Sequence, residues 1–486
     1  MLYYALALLP ILLLIVLSLW RGLNLAIGVS FVVTAALFFF WGAPVNQFLV
    51  SLVTALFSSL TILMTVLGAL FLHRVMEGTG YVDAMSRSLQ QIHPAKEVNF
   101  FLIALGLTPF FEGVAGFGTP GAIVPLLLVA LGYDAALAVT VVLLLNGLAG
   151  TAGAVGTPVL TGLQLPLGLD EPLVDSIYLK AALLGAVYGL VVLGFILRLY
   201  RQRVGALAHS KTIWLMYGFY AAGLVLFSWL AGPYSIILAA ATLLGLSALL
   251  LRQGNEPPAW RPWVPYAALI GLLLLPRFVP ALRPLVEWEW VWPAAFATDI
   301  DVSFQPLAVP LIPFAVVALG VMYTRKSRTF YGRELAQKLG SVVLVLYPAV
   351  AMSQLMVNSG VEQPSMVAYL SKLLQETGPL YVLFAPLLGT LGTFITGSTT
   401  VSNLVFGAAQ QQTAQTLDLD TSLVLALQLG GAALGNAICL FNIIAAATVA
   451  GVRDYKQVLR DNVGPILLAG LVAGAGGWLL EYTLAR

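Results

Sequence analysis

From end to end this chain is a series of apolar runs long enough to cross a bilayer, joined by short polar connections. Runs at 2–20, 23–41, 50–72, 177–199, 212–231, 233–251, 304–323, 339–358, 378–396 and 462–482 reach or approach the ~20 residues that a crossing helix needs. Lipid offers no hydrogen bonds, so a spanning segment must be a helix or part of a closed barrel. The period-2 alternation of a barrel is absent, and strands are not expected. The pattern predicts an all-α polytopic membrane protein of about 12 spans. With 60% of its 486 residues hydrophobic and 9% charged, the chain has the lipid bilayer as its expected surroundings. A net charge of +2 points to no nucleic acid partner. The one cysteine, Cys439, allows no intrachain disulfide. The first twenty residues lack a basic start and a small-residue cleavage site, so they read as a spanning helix, not a cleaved signal.

One stretch within these runs cannot be an ordinary spanning helix. Residues 109–121 read Pro-Phe-Phe-Glu-Gly-Val-Ala-Gly-Phe-Gly-Thr-Pro-Gly. Two prolines and four glycines weaken or break the helical ladder. Backbone that leaves the helix at membrane depth must be buried in protein or line a wet cavity. The short runs 98–111 and 122–131 therefore read as two arms of a hairpin or halves of one interrupted helix, flanking a re-entrant tip. A second such place lies near 396–403, where six hydroxyl or amide side chains fall in eight positions.

The two places sit in matched surroundings. Run 50–72 matches 339–358 and run 177–199 matches 462–482, at an offset of roughly 285 residues. Each half carries an aspartate before a new apolar run, Asp134 and Asp420, expected as helix N-caps. Charge fixes orientation. The segments with Arg198, Arg201, Arg203 and Lys211, and with Arg325, Lys326, Arg328, Arg333 and Lys338, read as cytoplasmic. Those with Asp170, Glu171 and Asp175, and with Glu287, Glu289, Asp299 and Asp301, read as outside, with Trp288, Trp290 and Trp292 as an interfacial belt. Both termini then fall outside. Opposite loop charge at equivalent points implies an inverted repeat, hence a secondary transporter with its site at the midplane. The expected organisation is a first repeat over 1–200, a linking hairpin of two spans over 201–260, and a second repeat over 261–486. Between His73 and Lys96, residues 81–89 read as an amphipathic helix or plain connection.

The chemistry lies at the interruptions. An ionised carboxylate near a helix centre costs ~2.5–3.5 kcal/mol on insertion scales. Glu112 is therefore expected either to carry the coupling proton, since burial disfavours the charged form, or to bond exposed backbone N–H groups. Gly116, Phe117, Gly118 and Thr119 start the next half-helix, whose free N–H groups and dipole suit an organic anion. The glycines equally suit close helix packing, as do Gly153 and Thr157. Asn146 and Thr157 repeat the theme on the following run; Pro158 frees a carbonyl near Ala154, and Asn146 could serve broken backbone or substrate. In the second half the candidate substrate contacts are Ser398, Thr399, Thr400, Ser402, Asn403 and Asn442, with Gln428 and Asn436 in Asn146-like roles. Cys439 reads as a buried small residue. No Arg or Lys lies near either interruption, which suits a small monocarboxylate.

At these residues the chain resembles the bacterial L-lactate permease family. The likeness is carried by 112–120 (Glu-Gly-Val-Ala-Gly-Phe-Gly-Thr-Pro), by 131–133, by Asn146 with 153–158, and by Gly397-Ser398 with 402–407. It implies proton-coupled uptake of lactate, glycolate or similar short 2-hydroxy acids at the bacterial inner membrane. It also implies an ion-transporter-like fold with a scaffold and a transport domain carrying two hairpins. Two departures stand out: Thr399 replaces an acidic residue common after Gly-Ser, and 436–442 lacks the family's lysine. The proton is then the coupling ion and no cofactor is expected; a homodimer is left open. The rivals are a Na⁺-coupled transporter of the same fold, with hydroxyls near Ser398 as ligands, and an anion channel. An enzyme is disfavoured, because His73, His93 and His209, read as loop residues, show no metal-ligand spacing.

Overall fold

The computed structural model describes residues 2–484 apart from 117, 254–258, 283, 285–287, 308, 328, 330 and 362. Phe117, Glu287 and Arg328 thus lie outside the described residues. The rest is helical, except for a two-stranded antiparallel ribbon, β1 (Trp290–Trp292) with β2 (Val302–Phe304). The ribbon is too short and too exposed to be a membrane element; Trp290 and Trp292 are exposed, and Trp290 leans on Phe57 at 5.3 Å between ring centroids. Among the described residues nine helices or helix pairs are long and apolar enough to cross a membrane, and five apolar helices are shorter.

The first half runs α1 (Leu2–Arg21), α2 (Leu23–Phe40), α3 (Val45–Gly78), α4 (Tyr81–Gln90), α5 (Lys96–Val114), α6 (Thr119–Ala130), α7 (Ala135–Ala149), α8 (Gly153–Val159), α9 (Leu165–Leu167) and α10 (Glu171–Arg203). A hairpin follows, α11 (Ser210–Ala231) packed on α12 (Ser235–Leu250). The remainder is α13 (Val264–Phe278), α14 (Leu311–Thr324), α15 (Gly332–Asn358), α16 (Met366–Gln375), α17 (Tyr381–Thr396), α18 (Thr399–Thr416), α19 (Thr421–Gly435), α20 (Leu440–Ala450) and α21 (Tyr455–Leu484). His73 lies inside α3 and not in a loop, because Leu72, Val75 and Met76 continue that helix's buried face to its end. Residues 81–90 do form the amphipathic helix, with Val82, Met85 and Leu89 buried.

Two caps fix where helices begin. Asp134 accepts from the Leu137 N–H at 2.9 Å and Asp420 from the Leu423 N–H at 3.2 Å, each satisfying an orphan donor at the start of α7 or α19. Asp420 is held further by Lys180 of α10, which also reaches Ser422 at 2.5 Å. The main core joins α5, α7, α10, α11, α12, α17, α19 and α21; a second cluster is built on α1, α2, α15, α16 and α18. Among the candidate spanning helices α5 is the most enclosed: every residue from Val98 to Val114 is buried.

Candidate functional site

Four helix interruptions meet inside this bundle. The first separates α5 from α6 at 115–118; the second separates α7 from α8 at 150–152 and continues into the non-helical backbone at 154–156 inside α8. The third separates α17 from α18 at 397–398 and the fourth α19 from α20 at 436–439. The first is narrower than the sequence suggested. Helix α5 continues through Pro109, Glu112 and Gly113 and ends only at Val114. The fourth lies inside an apolar run, 421–450, that reads as uninterrupted.

Within each half the two interruptions touch. Gly116 adopts φ 57° and packs on the second break; a methyl built there would lie 2.9 Å from the Ala154 Cβ. Its conformation closes the end of α5, with the Gly116 N–H donating to the Phe111 carbonyl at 3.2 Å. In the second half Gly397 packs on Cys439, with Sγ 3.3 Å from where a methyl would be. Cys439 is buried and occupies the N-cap position of α20.

The halves also join each other. Asn403 of α18 donates from Nδ2 to the Pro158 carbonyl at 2.9 Å. Gly150 admits the Asn436 amide, Gly162 admits the Thr400 backbone, and Gly121 lies against Ala446. Residues 150–162 thus touch Glu112 through Gly153 on one side and Thr400, Asn403 and Asn436 on the other.

Glu112 sits in the last turn of α5, buried, with Oε1 against Gly153: a methyl on that glycine would stand 2.4 Å from it. Oε2 is buried with no hydrogen-bond partner. Asn146, in the last turn of α7, is likewise buried with an unpartnered Oδ1. Gly118 (φ 78°) begins α6 without a side-chain cap and opens onto free space. Thr119 is buried just after it. Thr157 donates to the Ala154 carbonyl at 2.5 Å, the carbonyl that Pro158 was expected to release.

The second half is closed by hydrogen bonds. Ser398 caps α18, accepting from the Val401 N–H at 3.3 Å. Thr399 accepts from Asn436 Nδ2 at 2.8 Å. Asn442 Nδ2 donates to the Asn436 carbonyl at 3.3 Å and to its side-chain oxygen at 3.2 Å. Ser402 donates to the Gly389 carbonyl at 2.9 Å and accepts from Gln428 Nε2 at 3.2 Å. Gln428 also reaches Asn403 Oδ1 at 3.3 Å and accepts from Gln410 at 2.7 Å, while Tyr381 donates to Gln410 at 2.5 Å. Thr400 is buried beside Gly162.

Three supports escaped the sequence reading. Tyr178 of α10 donates to the Gly156 carbonyl at 3.3 Å, and Asn462 of α21 donates to the Ala437 carbonyl at 2.7 Å. These donors serve the second and fourth interruptions and lie near the sequence offset of roughly 285 residues (178 and 462), and that spacing was the signal available for them. The third is the turn of the α11–α12 hairpin: Pro233 packs on Gly156, and Ile236 and Ile237 pack on Gly113. Ala154, Val155 and Gly156, with φ of 43°, 57° and 78°, are held there in left-handed backbone. No group of three or more His, Cys, Asp or Glu side chains suited to a metal occurs among the described residues.

The family model described as L-lactate permease matches residues 4–263 and 181–484. A putative L-lactate permease of Haemophilus influenzae is 25% identical over 476 residues, covering 88% of each chain. The L-lactate permease of Escherichia coli K12 is 26% identical over 503 residues, 92% of this chain and 89% of that one. The glycolate permease of the same strain is 23% identical over 493 residues, 86% and 84%. With the family model matched along nearly its whole length, this chain belongs to the L-lactate permease family.

Proposed function

We propose that this chain carries a small 2-hydroxymonocarboxylate, L-lactate or glycolate, across the bacterial cytoplasmic membrane together with a proton, by alternating access between two inverted repeats. The observation that carries the proton is Glu112 Oε2, buried without a partner at the junction of two interrupted helices. A buried ionised carboxylate with no cation beside it is costly. Protonation removes that cost, and a monoanion entering with one proton leaves the cycle electroneutral. The anion itself meets the uncapped start of α6 at Gly118, where backbone N–H groups and the helix dipole favour negative charge. Thr119 and Asn146 supply polar groups on the same side, and Ser398 to Asn403 form the facing wall. The matched interruptions, caps and backbone donors support the repeat. The opposite signs of loop charge support its inversion.

The test is uptake into proteoliposomes. An inward proton gradient should drive accumulation of labelled lactate or glycolate in the wild type and fail to do so in Glu112→Gln, while lactate–lactate exchange persists in that variant. Accumulation driven by a sodium gradient at uniform pH, or gradient-driven uptake that survives Glu112→Gln, would overturn the proton role.

A further inference from the structure

The end of the bundle where α10 finishes and α21 begins holds a cleft apart from the interruptions. It has a volume of about 280 Å³ and is lined by Leu144, Phe195, Arg198, Leu199, Gln202, Asp461 and Pro465. The lining itself holds one cation, Arg198, and one carboxylate, Asp461, but the segments that supply them are lopsided in charge. Residues 198–203 and 453–461 carry six cations (Arg198, Arg201, Arg203, Arg453, Lys456 and Arg460) against two carboxylates, Asp454 and Asp461. The carboxylate on the wall, Asp461, is already paired with Arg203, and Arg203 Nη1 remains buried without a partner. Arg198, on the wall itself, makes no ion pair among the described residues and is exposed. Leu144, Phe195, Leu199 and Pro465 make the rest of the lining mostly apolar, and further along the same two helices Leu467, Leu468 and Leu471 of α21 and Val187 and Leu190 of α10 are exposed apolar side chains.

A site with a cationic mouth and an apolar wall at the edge of spanning helices has the two parts of a phospholipid as its complement. We infer that this cleft binds an anionic phospholipid, its phosphate facing Arg198 and Gln202 and an acyl chain lying along Phe195, Leu199 and Pro465. Basic pockets between spanning helices bind acidic headgroups by this combination, and a zwitterionic headgroup forfeits the net attraction. Because the occupant would bridge α10 and α21, the last helices of the two halves, its binding stabilises their contact independently of the transported substrate.

The full-length protein in detergent provides the test, followed by its tryptophan fluorescence on heating. Saturating phosphatidylglycerol should raise Tm by about 5 °C over phosphatidylcholine, as expected of a ligand specific to the folded state. Arg198→Gln should lose most of that difference, and Arg198→Lys and the remote Arg21→Gln should keep it. Equal shifts with the two lipids, an unchanged response in Arg198→Gln, or the same shift from inorganic phosphate alone would each overturn the lipid assignment. Should Arg198→Gln fail to fold, native mass spectrometry of the wild type decides: phosphatidylglycerol retained in preference to phosphatidylcholine supports the site, and no preference removes it.

Discussion

At the interruptions of the first half, Glu112 Oε2 and Asn146 Oδ1 are buried without partners; in the second half Ser402, Asn403, Gln410 and Gln428 bond one another and the backbone, and Asn436 bonds Thr399 and Asn442. By side-chain count alone the second half looks the better ligand cage, since it holds more hydroxyls and amides. The geometry separates polarity that is spent from polarity that is free. A buried group left unpaired costs ~1–3 kcal/mol, so one that persists marks a place where something else completes the bond. A saturated network instead fixes its members and defines a shape. In this conformation the unpaired carboxylate oxygen lies in the first half, whereas the interruptions of the second half, apart from the unpartnered Asn462 Oδ1, form a hydrogen-bonded wall.

The largest test of that contrast is Glu112→Gln. If the free carboxyl moves the proton, gradient-driven uptake should fall roughly a hundredfold, the scale on which a positioned proton-transfer group acts, while the melting temperature changes little, because Oε2 has no bond to lose. A stability loss with uptake preserved would reassign Glu112 to packing.

Next in size is a paired comparison of amides. Gln428→Ala empties a buried position and strands bonds to Gln410, Ser402 and Asn403, so it should cost about 3 kcal/mol in denaturant melts. Asn146→Ala should cost about 1 kcal/mol or less in stability yet raise KM for lactate, since its oxygen is unbonded at rest. Equal stability losses would erase the distinction between the halves.

Gly153→Ala is the third. Its methyl would press on Glu112 Oε1, and overpacking of that kind costs ~1–3 kcal/mol. Uptake should fall with it, and a Glu112→Asp second change, which shortens the carboxyl, should recover part of the stability.

The smallest effect concerns the two caps. Asp134→Ala and Asp420→Ala should each cost about 1 kcal/mol, with Asp420 the larger because Lys180 and Ser422 also hold it. Burial alone would push the Asp420 carboxyl up, but those hydrogen bonds and the Lys180 charge keep it below its usual value. A carboxyl lowered in the folded state contributes stability that is complete above its unfolded value and lost as pH falls through the folded one. Acid titration of unfolding should show that loss in wild type and lack it in Asp420→Ala.

How much of this was legible follows from how local each cause is. The caps at Asp134 and Asp420 depend on a side chain three residues from its donor, and both were readable. The interruption at 115–118 announces itself by glycine, though Pro109 overstated its length: a proline withdraws one N–H, and enclosed α5 continues through it. The interruption at 436–439 carries no proline and no glycine between Asn436 and Cys439, and it exists because Asn442 and Asn462 take up the freed carbonyls from elsewhere in the chain. Nor could sequence place Ala154 and Val155 in left-handed backbone, which both side chains disfavour. Glu112 stands out in the sequence as a carboxylate in an apolar run, but its lack of a partner is a fact of three-dimensional neighbours.

Those two residues have a mechanical corollary. Left-handed backbone costs roughly 1–2 kcal/mol per residue with a Cβ, so Ala154 and Val155 together hold the break in a cocked state against which Tyr178 and Pro233 pack at Gly156. Any rearrangement that lifts the hairpin turn off Gly156 lets this backbone recoil into ordinary helix. The recoil would turn the end of α8 relative to α7, because reversing the hand of those residues redirects the chain between the two helices.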